Sequence, residues 1–399
     1  LRLTGTLSER FAEAMARLGP FGPTPRLAVA VSGGADSTAL ALLAQDWVRP
    51  ARGSVLALIA DHGLRAESGA EAALTARRLA ARGIEARILT LSIAPGSALQ
   101  DRARTARHAA LAEAARAAGA VHLLLGHHAG DQAELLAMRA ARGKRGAAGM
   151  AGFAARHDIV LLRPLLGTDP AELRAELRAR GMGWIEDPSN ADPRFERARL
   201  RASGLEPAVP NPSEAAALAA AQRDTARFLA GHTTIAPEGY AILHTDRPPE
   251  DALAVLIRAI GGALYPPRRD RVARLAAGLR PATLGGVRIM KAGRLGPGWL
   301  LLREASACAA PAAPRAGALW DGRFRILAVP QGADAIGALG DRATTFRHAT
   351  RLPAAVLRAL PAFCRSGEVL AVPHLGAGPS ARLAFAPPAP AAALPFVPA

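Results

Sequence analysis

Leu27-Ala28-Val29-Ala30-Val31-Ser32-Gly33-Gly34-Ala35-Asp36-Ser37-Thr38-Ala39-Leu40 reads as an apolar strand, a turn of small residues and the start of an apolar helix. The turn has the makings of an anion cradle. Gly33 and Gly34 allow backbone angles and a close approach that a Cβ would forbid, and the first amides of the helix point at a bound oxyanion with the helix dipole behind them. Ser32 and Ser37 add hydroxyls. The Gly-Lys-Ser/Thr of a Walker A loop is missing, and so is the glycine spacing of a dinucleotide fingerprint. An ordinary strand-to-helix turn accounts for the glycines but not for Asp36, a carboxylate among anion donors, unless it helps to hold Mg²⁺.

Outward from this turn, short apolar runs alternate with helical stretches. The expected strands are Leu27–Val31, Val55–Ala60, Ala86–Leu91, Val121–Leu125 and Ile159–Leu162. Such alternation predicts an α/β fold, a doubly wound parallel sheet covered on both faces. One helix is expected over Ser97–Ala118, opened by a Ser97/Gln100 capping box. Another opens at Asp169-Pro170-Ala171-Glu172, with an N-cap acid and Pro where a missing N–H costs nothing, and stops at Gly181. The first domain is expected over 1–205. After a linker at Pro207 to Pro212 comes a small, mainly helical domain over 212–305 with a β-like run near Gly286–Met290 and Trp299–Leu302. The Ala/Pro-rich stretch Ser306 to Ala316 reads as a second linker, too poor in apolar surface to fold alone. A small α+β domain is expected over 317–385, with strands at Leu319–Val329 and Val369–Val372 and a helix at Pro353–Ala359; 386–399 is an Ala/Pro tail.

Half of the 399 residues are apolar, enough for two or three cores, yet no apolar run approaches the ~20 residues of a membrane helix. Nothing in Leu1 to Glu9 reads as a secretory signal. The two cysteines, Cys308 and Cys364, form neither a C-x-x-C pair nor a zinc cluster, which fits a reducing, cytoplasmic setting. The formal charge of +17 comes almost wholly from Arg, with Lys only at Lys144 and Lys291. A charge so far from zero favours a polyanionic partner, because each neutralised phosphate releases counterions.

Two further clusters follow strands. Asp61, His62, Gly63, Leu64, Arg65 and Ser68 come directly after the second strand, and in an open parallel sheet ligands sit beyond the carboxyl ends of strands. After the fourth strand comes Gly126-His127-His128-Ala129-Gly130-Asp131-Gln132-Ala133-Glu134. With a helix starting near His128, the side chains of His127, Asp131 and Glu134 converge on its first turn. Two carboxylates with no basic neighbour suit a cationic ligand or a metal. Arg139, Arg142, Lys144 and Arg145 form the densest basic run, among glycines that make it loop-like; it reads either as a solvated surface or as a holder of phosphates.

The Ser-Gly-Gly-x-Asp-Ser turn resembles the pyrophosphate-binding motif of the N-type ATP pyrophosphatases, and the next two clusters resemble segments of the tRNA(Ile)-lysidine synthetase family within them. Ala103-Arg104-Thr105-Ala106-Arg107-His108 resembles the family's Ala-Arg-x-x-Arg-Tyr, and Arg163-Pro164-Leu165-Leu166 with Glu186-Asp187-Pro188-Ser189-Asn190 resembles its closing segments. The sequence departs from the pattern at His108 for Tyr, Gly130 for Asp, Leu135 for Thr and Ala198 for Asn. The likeness runs from Arg26 to Arg201 and weakens beyond. It implies ATP and Mg²⁺ as cofactors, and conversion of the wobble cytidine of a tRNA(Ile) with a CAU anticodon to lysidine, using free L-lysine. By the same resemblance Ser32, Gly33, Gly34, Asp36, Ser37 and Asp61 hold ATP, with Asp36 on the metal. Asp36, His127 and Asp131 are catalytic; Asp131, Glu134, Arg104, Arg107, Arg142, Lys144 and Arg145 contact the substrates; and 212–305 contacts tRNA. Two rivals stay open: another tRNA-modifying pyrophosphatase, and a non-catalytic RNA-binding relative. Oligomeric state is left open too, a homodimer included.

Overall fold

The computed structural model describes residues 5–61, 63, 67–91, 99–141, 149–156, 159–186, 212–389 and 391. They fall into two compact units, one up to Ala220 and one from Ala221 on.

The first unit is built on one sheet. Arg26–Val31 (β1), Ser54–Asp61 (β2), Glu85–Thr90 (β3), His122–Leu124 (β4), Phe153–Ala155 (β5) and Val160–Leu162 (β6) lie in the order β3-β2-β1-β4-β6-β5. Every pair is parallel except β5 with β6. In β1, Leu27, Val29 and Val31 face one core, with Phe11 and Met15 of α1 (Leu7–Leu18), Leu40 and Leu43 of α2 (Ala35–Val48), Leu79 of α3 (Ser68–Ala80) and Leu173 of α6 (Pro170–Ala179). Ala28 faces the other core, with Leu111 and Ala115 of α4 (Leu99–Ala117). Helices thus cover both faces of a doubly wound sheet. α2 is buried along most of its length, as its apolar middle, Ala39 to Ala44, requires. Asp169 caps α6, accepting from the Ala171 N–H at 2.8 Å, and Gly181 follows it at φ +59°. The expected Ser97 cap and the 207–211 linker lie outside the described residues.

Strand order reverses between β1 and β4: the chain leaves β1 toward β2 and returns on the far side to build β4. The crevice above their carboxyl ends is the topological switch point, where open α/β sheets place ligands.

In the second unit the segment expected to be mainly helical carries a five-stranded antiparallel sheet. Its order is β7-β8-β11-β10-β9, made of Thr233–Ile235, Ala241–Leu243, Trp299–Arg303, Val287–Lys291 and Ala282–Leu284. Three of these strands are three residues long, too short to show alternation in sequence. The helices Glu250–Gly261 and Arg269–Ala276 pack Leu253, Leu256, Ile257 and Val272 on it.

The 306–316 stretch does not separate independent cores. Ile242, Leu300 and Leu302 before it share one cluster with Leu339, Val356 and Leu357 after it. The stretch itself is pinned: the Ala309 N–H donates to Asp321 at 2.8 Å, and Ala312 bridges Ile336. Asp321, almost fully buried, also takes Arg303 and Arg323. The expected strand at Leu319–Val329 is split by the Asp321-Gly322 turn, both residues at positive φ, into Leu319–Trp320 and Phe324–Ala328. Ala386, expected to begin a structureless tail, is buried.

Candidate functional site

Gly33 sits at φ +88°, and a Cβ there would stand 2.7 Å from Thr75 Oγ1 and 3.0 Å from Ile185 Cδ1. Glycine is therefore required both by the backbone angle and by the space. Gly34 is the N-cap of α2 and offers no side chain to it, so the first amides of the helix look into the crevice. Ser37 is buried: its hydroxyl accepts from the Ser32 N–H at 3.1 Å and donates to the Gly34 carbonyl at 3.2 Å. It clips the turn from inside, whereas Ser32 is the exposed hydroxyl of the pair. The Gly33 carbonyl accepts from the Ile185 N–H at 2.9 Å, which lays the segment leading into Glu186-Asp187 against the turn.

The loop after β4 closes on the same turn. A Cβ on Gly126 would stand 3.1 Å from both Cα and N of Ser37, so the two loops touch backbone to backbone. The Ala129 N–H donates to the Thr168 carbonyl at 3.0 Å, anchoring the start of α5 (Ala129–Ala141). Asp131 accepts from the backbone N–H of His128 at 3.0 Å. His128, not His127, is the imidazole that faces both acids. Its Nε2 lies 3.5 Å from Asp36 Oδ2 and 3.6 Å from Asp131 Oδ2. The sequence carried the signal, since a helix opening at residue 129 puts 128 and 131 on one side. His127 is half-buried beside it, and Glu134 is buried one turn further along α5.

Asp36 Oδ1 is buried and has no hydrogen-bond partner among the described residues. An orphaned carboxylate oxygen is costly, and beside an anion cradle it suits a hard divalent cation. No group of three or more acidic, His or Cys side chains able to hold a metal forms among the described residues. Asp61 directs one oxygen inward: Oδ1 accepts from the Gly63 N–H at 3.0 Å and from Ser68 Oγ at 2.6 Å, which holds the turn into α3.

Arg104 and Arg107 lie on α4 with His108, and Arg163 follows β6. Burial, then the charges of Arg107, Arg104, Arg163 and Arg156, pushes the His108 imidazole down to about 4. Burial and the neighbouring arginines also lower the Arg163 guanidinium to about 10. Among the described residues, burial is the first cause of both shifts and the mutual repulsion of the arginines the second. Arg142, Lys144, Arg145, His62, Arg65 and the 187–201 segment, with Ala198, lie outside the described residues. Among the described residues no helix is long and apolar enough to cross a membrane.

A glycine turn at the switch point of a doubly wound sheet, with a buried carboxylate oxygen beside it that has no partner among the described residues, agrees with the class: residues 5–207 match the PP-loop domain family. Within that class the chain belongs to the tRNA(Ile)-lysidine synthase family. It is 38% identical to the tRNA(Ile)-lysidine synthase of Ruegeria pomeroyi, over 89% of this chain and 90% of that one. The Caulobacter vibrioides enzyme of the same name is 38% identical over 78% of this chain and 76% of its own. That of Novosphingobium aromaticivorans is 42% identical over 67% and 86%.

Proposed function

We propose that this chain is an ATP-dependent carbon–nitrogen ligase that forms lysidine at the wobble cytidine of a tRNA(Ile) with a CAU anticodon. The observation that carries this reading is Asp36 at the start of α2, whose Oδ1 is buried with no hydrogen-bond partner among the described residues while its Oδ2 lies 3.5 Å from the His128 ring that also nears Asp131. The cytosine O2 attacks the α-phosphorus of ATP, the bond to the β-phosphate oxygen breaks, and pyrophosphate leaves. The α2 amides, Gly33, Gly34 and Ser32 receive that leaving charge with dipoles already fixed in place. Asp36 would hold Mg²⁺, which neutralises charge on the phosphates when bound. Asp131 and Glu134 offer negative charge to the lysine ammonium. The ε-amine, once it has given up a proton to His127 or a carboxylate, attacks C2; the C2–O2 bond breaks and AMP departs.

Arg104 and Arg107, which share their surroundings with Arg156 and Arg163, suit a phosphate or carboxylate of the substrates. Arg142, Lys144 and Arg145 are assigned to tRNA phosphates on sequence grounds, and the net charge of +17 favours the same polyanion. We assign tRNA contact also to the second unit.

Purified protein with ATP, labelled lysine and unmodified tRNA(Ile) bearing CAU is expected to release AMP and pyrophosphate and to incorporate label only with that tRNA. Pyrophosphate release without lysine incorporation would move the assignment to another base modification on the same fold.

A further inference from the structure

Gly130 is the departure in the α5 motif, standing where the resembling family carries Asp. Its backbone N–H donates to His128 Nδ1 at 3.1 Å, so Nδ1 is the acceptor nitrogen and the ring hydrogen sits on Nε2. That Nε2 stands between the Asp36 and Asp131 carboxylates, one on each of the two loops that build the site. The ring is only 9% exposed. A Cβ on Gly130 would lie 2.9 Å from His128 Cε1 and 3.1 Å from Nδ1, inside ordinary contact distance. Any side chain at 130 therefore displaces the ring or its own backbone.

We propose that His128 is a positioning residue that sets the separation of Asp36 from Asp131, and that Gly130 is the space that lets it do so. The ring bridges the pyrophosphate side of the site, anchored by Asp36, and the amine side, anchored by Asp131. Its Nε2–H lies 3.5 Å from the facing oxygen of Asp36 and 3.6 Å from that of Asp131, a polar contact toward each that adds no rival ligand for the lysine. In this chain the missing carboxylate at 130 is thus not a lost function but a different support for the same pair of acids. Because turnover is one readout, the inference rests on the function proposed above.

Gly130→Ala separates this role from a structural one by sign. Position 130 lies in the first turn of α5, where Ala is a better helix former than Gly, so a merely structural residue predicts equal or higher stability and unchanged turnover. The expected result is a Tm within a few degrees of wild type, the helix propensity gained offsetting part of the contact with the ring, and pyrophosphate release slowed roughly ten- to hundredfold, the cost of misplacing a site group by about an ångström. Gly130→Asp, which restores the family residue, is expected to be as harmful as Ala. His128→Leu should lose a similar factor, His128→Gln, which keeps a donor, should regain most of it, and Gly130→Ala with His128→Leu should be no worse than His128→Leu alone. Nitrogen NMR of the unliganded protein should show His128 protonated at Nε2, a signature that Gly130→Ala removes. Wild-type rates in Gly130→Ala, additivity in the double variant, or an Nδ1-protonated ring would each overturn the proposal. Should wild type release pyrophosphate with the stated dependence on His128 yet incorporate no lysine, the positioning role would stand and the lysidine assignment would fall.

Discussion

Gly33→Ala tests the cradle at its tightest point. The new Cβ must adopt φ near +88°, a left-handed conformation that costs a non-glycine residue roughly 1–2 kcal/mol. It must also displace Thr75 Oγ1, 2.7 Å away, and Ile185 Cδ1, 3.0 Å away. Thr75 can rotate, but its hydroxyl donates to the Glu71 carbonyl at 2.9 Å, so the packing adds about 1–2 kcal/mol, toward the low end for overpacked sites. A total of about 2–4 kcal/mol lowers Tm by roughly 5–15 °C for a unit of this size. The Gly33 carbonyl also holds the Ile185 N–H, so relief of the clash drags the turn, and pyrophosphate release should fall by about a hundredfold. The control is Gly34→Ala. Its φ is −69°, and the nearest atom to its Cβ is Ser32 Oγ at 3.5 Å, so its stability should stay within about 1 kcal/mol of wild type. Thr75→Ala in the Gly33→Ala background should recover part of the lost stability. Scanning calorimetry and a coupled pyrophosphate assay read both quantities. Wild-type melting and turnover in Gly33→Ala would refute the cradle geometry.

Glu134→Gln should raise the KM for lysine about ten- to hundredfold, the worth of roughly 1.5–3 kcal/mol for a charge-assisted hydrogen bond, while the KM for ATP stays near wild type; steady-state kinetics with each substrate varied checks it. Replacing Arg142, Lys144 and Arg145 together should weaken binding of all tRNAs and reduce the slope of log K against log salt by about two to three, read by filter binding from low to moderate salt. His108 supplies an acid-limb prediction: its folded value of about 4 lies below the unfolded 6.5, so the unfolded chain binds the extra proton between them. Stability is full above pH 6.5 and falls as pH drops toward 4; His108→Tyr should flatten that limb in denaturant melts at pH 7 and pH 5.

The catalytic half was legible because its signals are local. A strand, a small-residue turn and the start of a helix can be read from Leu27 to Leu40, and strand ends locate the crevice without any tertiary detail. Two features of the site were not local. Ser37 looks like a ligand donor in sequence, and only the folded turn shows its hydroxyl directed inward to Gly34. His127 and His128 are adjacent, and which one meets Asp36 depends on where α5 starts, a matter of one residue decided by the Ala129 bond to Thr168. The second unit showed two of the five strands of its sheet, Val287–Lys291 and Trp299–Arg303, in sequence; the other three are three residues long and carry no period. Its supposed linker was misread because its backbone is held by distant partners, Asp321 and Ile336, rather than by its own side chains.

The departures at Gly130 and His108 could be taken as decay toward a relative that binds RNA without chemistry. The physical cost of the site speaks against that. Among the described residues Asp36 Oδ1 is kept buried without a partner, a burden of about 1–3 kcal/mol that a binding protein gains nothing by retaining. Gly33 is held at an angle that only glycine adopts freely, where a looser turn would serve RNA binding equally well. At the departures themselves the site is closed rather than open: the His128 ring fills the space beside Gly130, and His108 sits neutral among arginines instead of adding to their repulsion. A drifting site is expected to lose its strained and unsatisfied features first, because those are what destabilise it. Here they remain, while the changes fall on positions whose neighbours have accommodated them, and that pattern is one of a working active site supported differently.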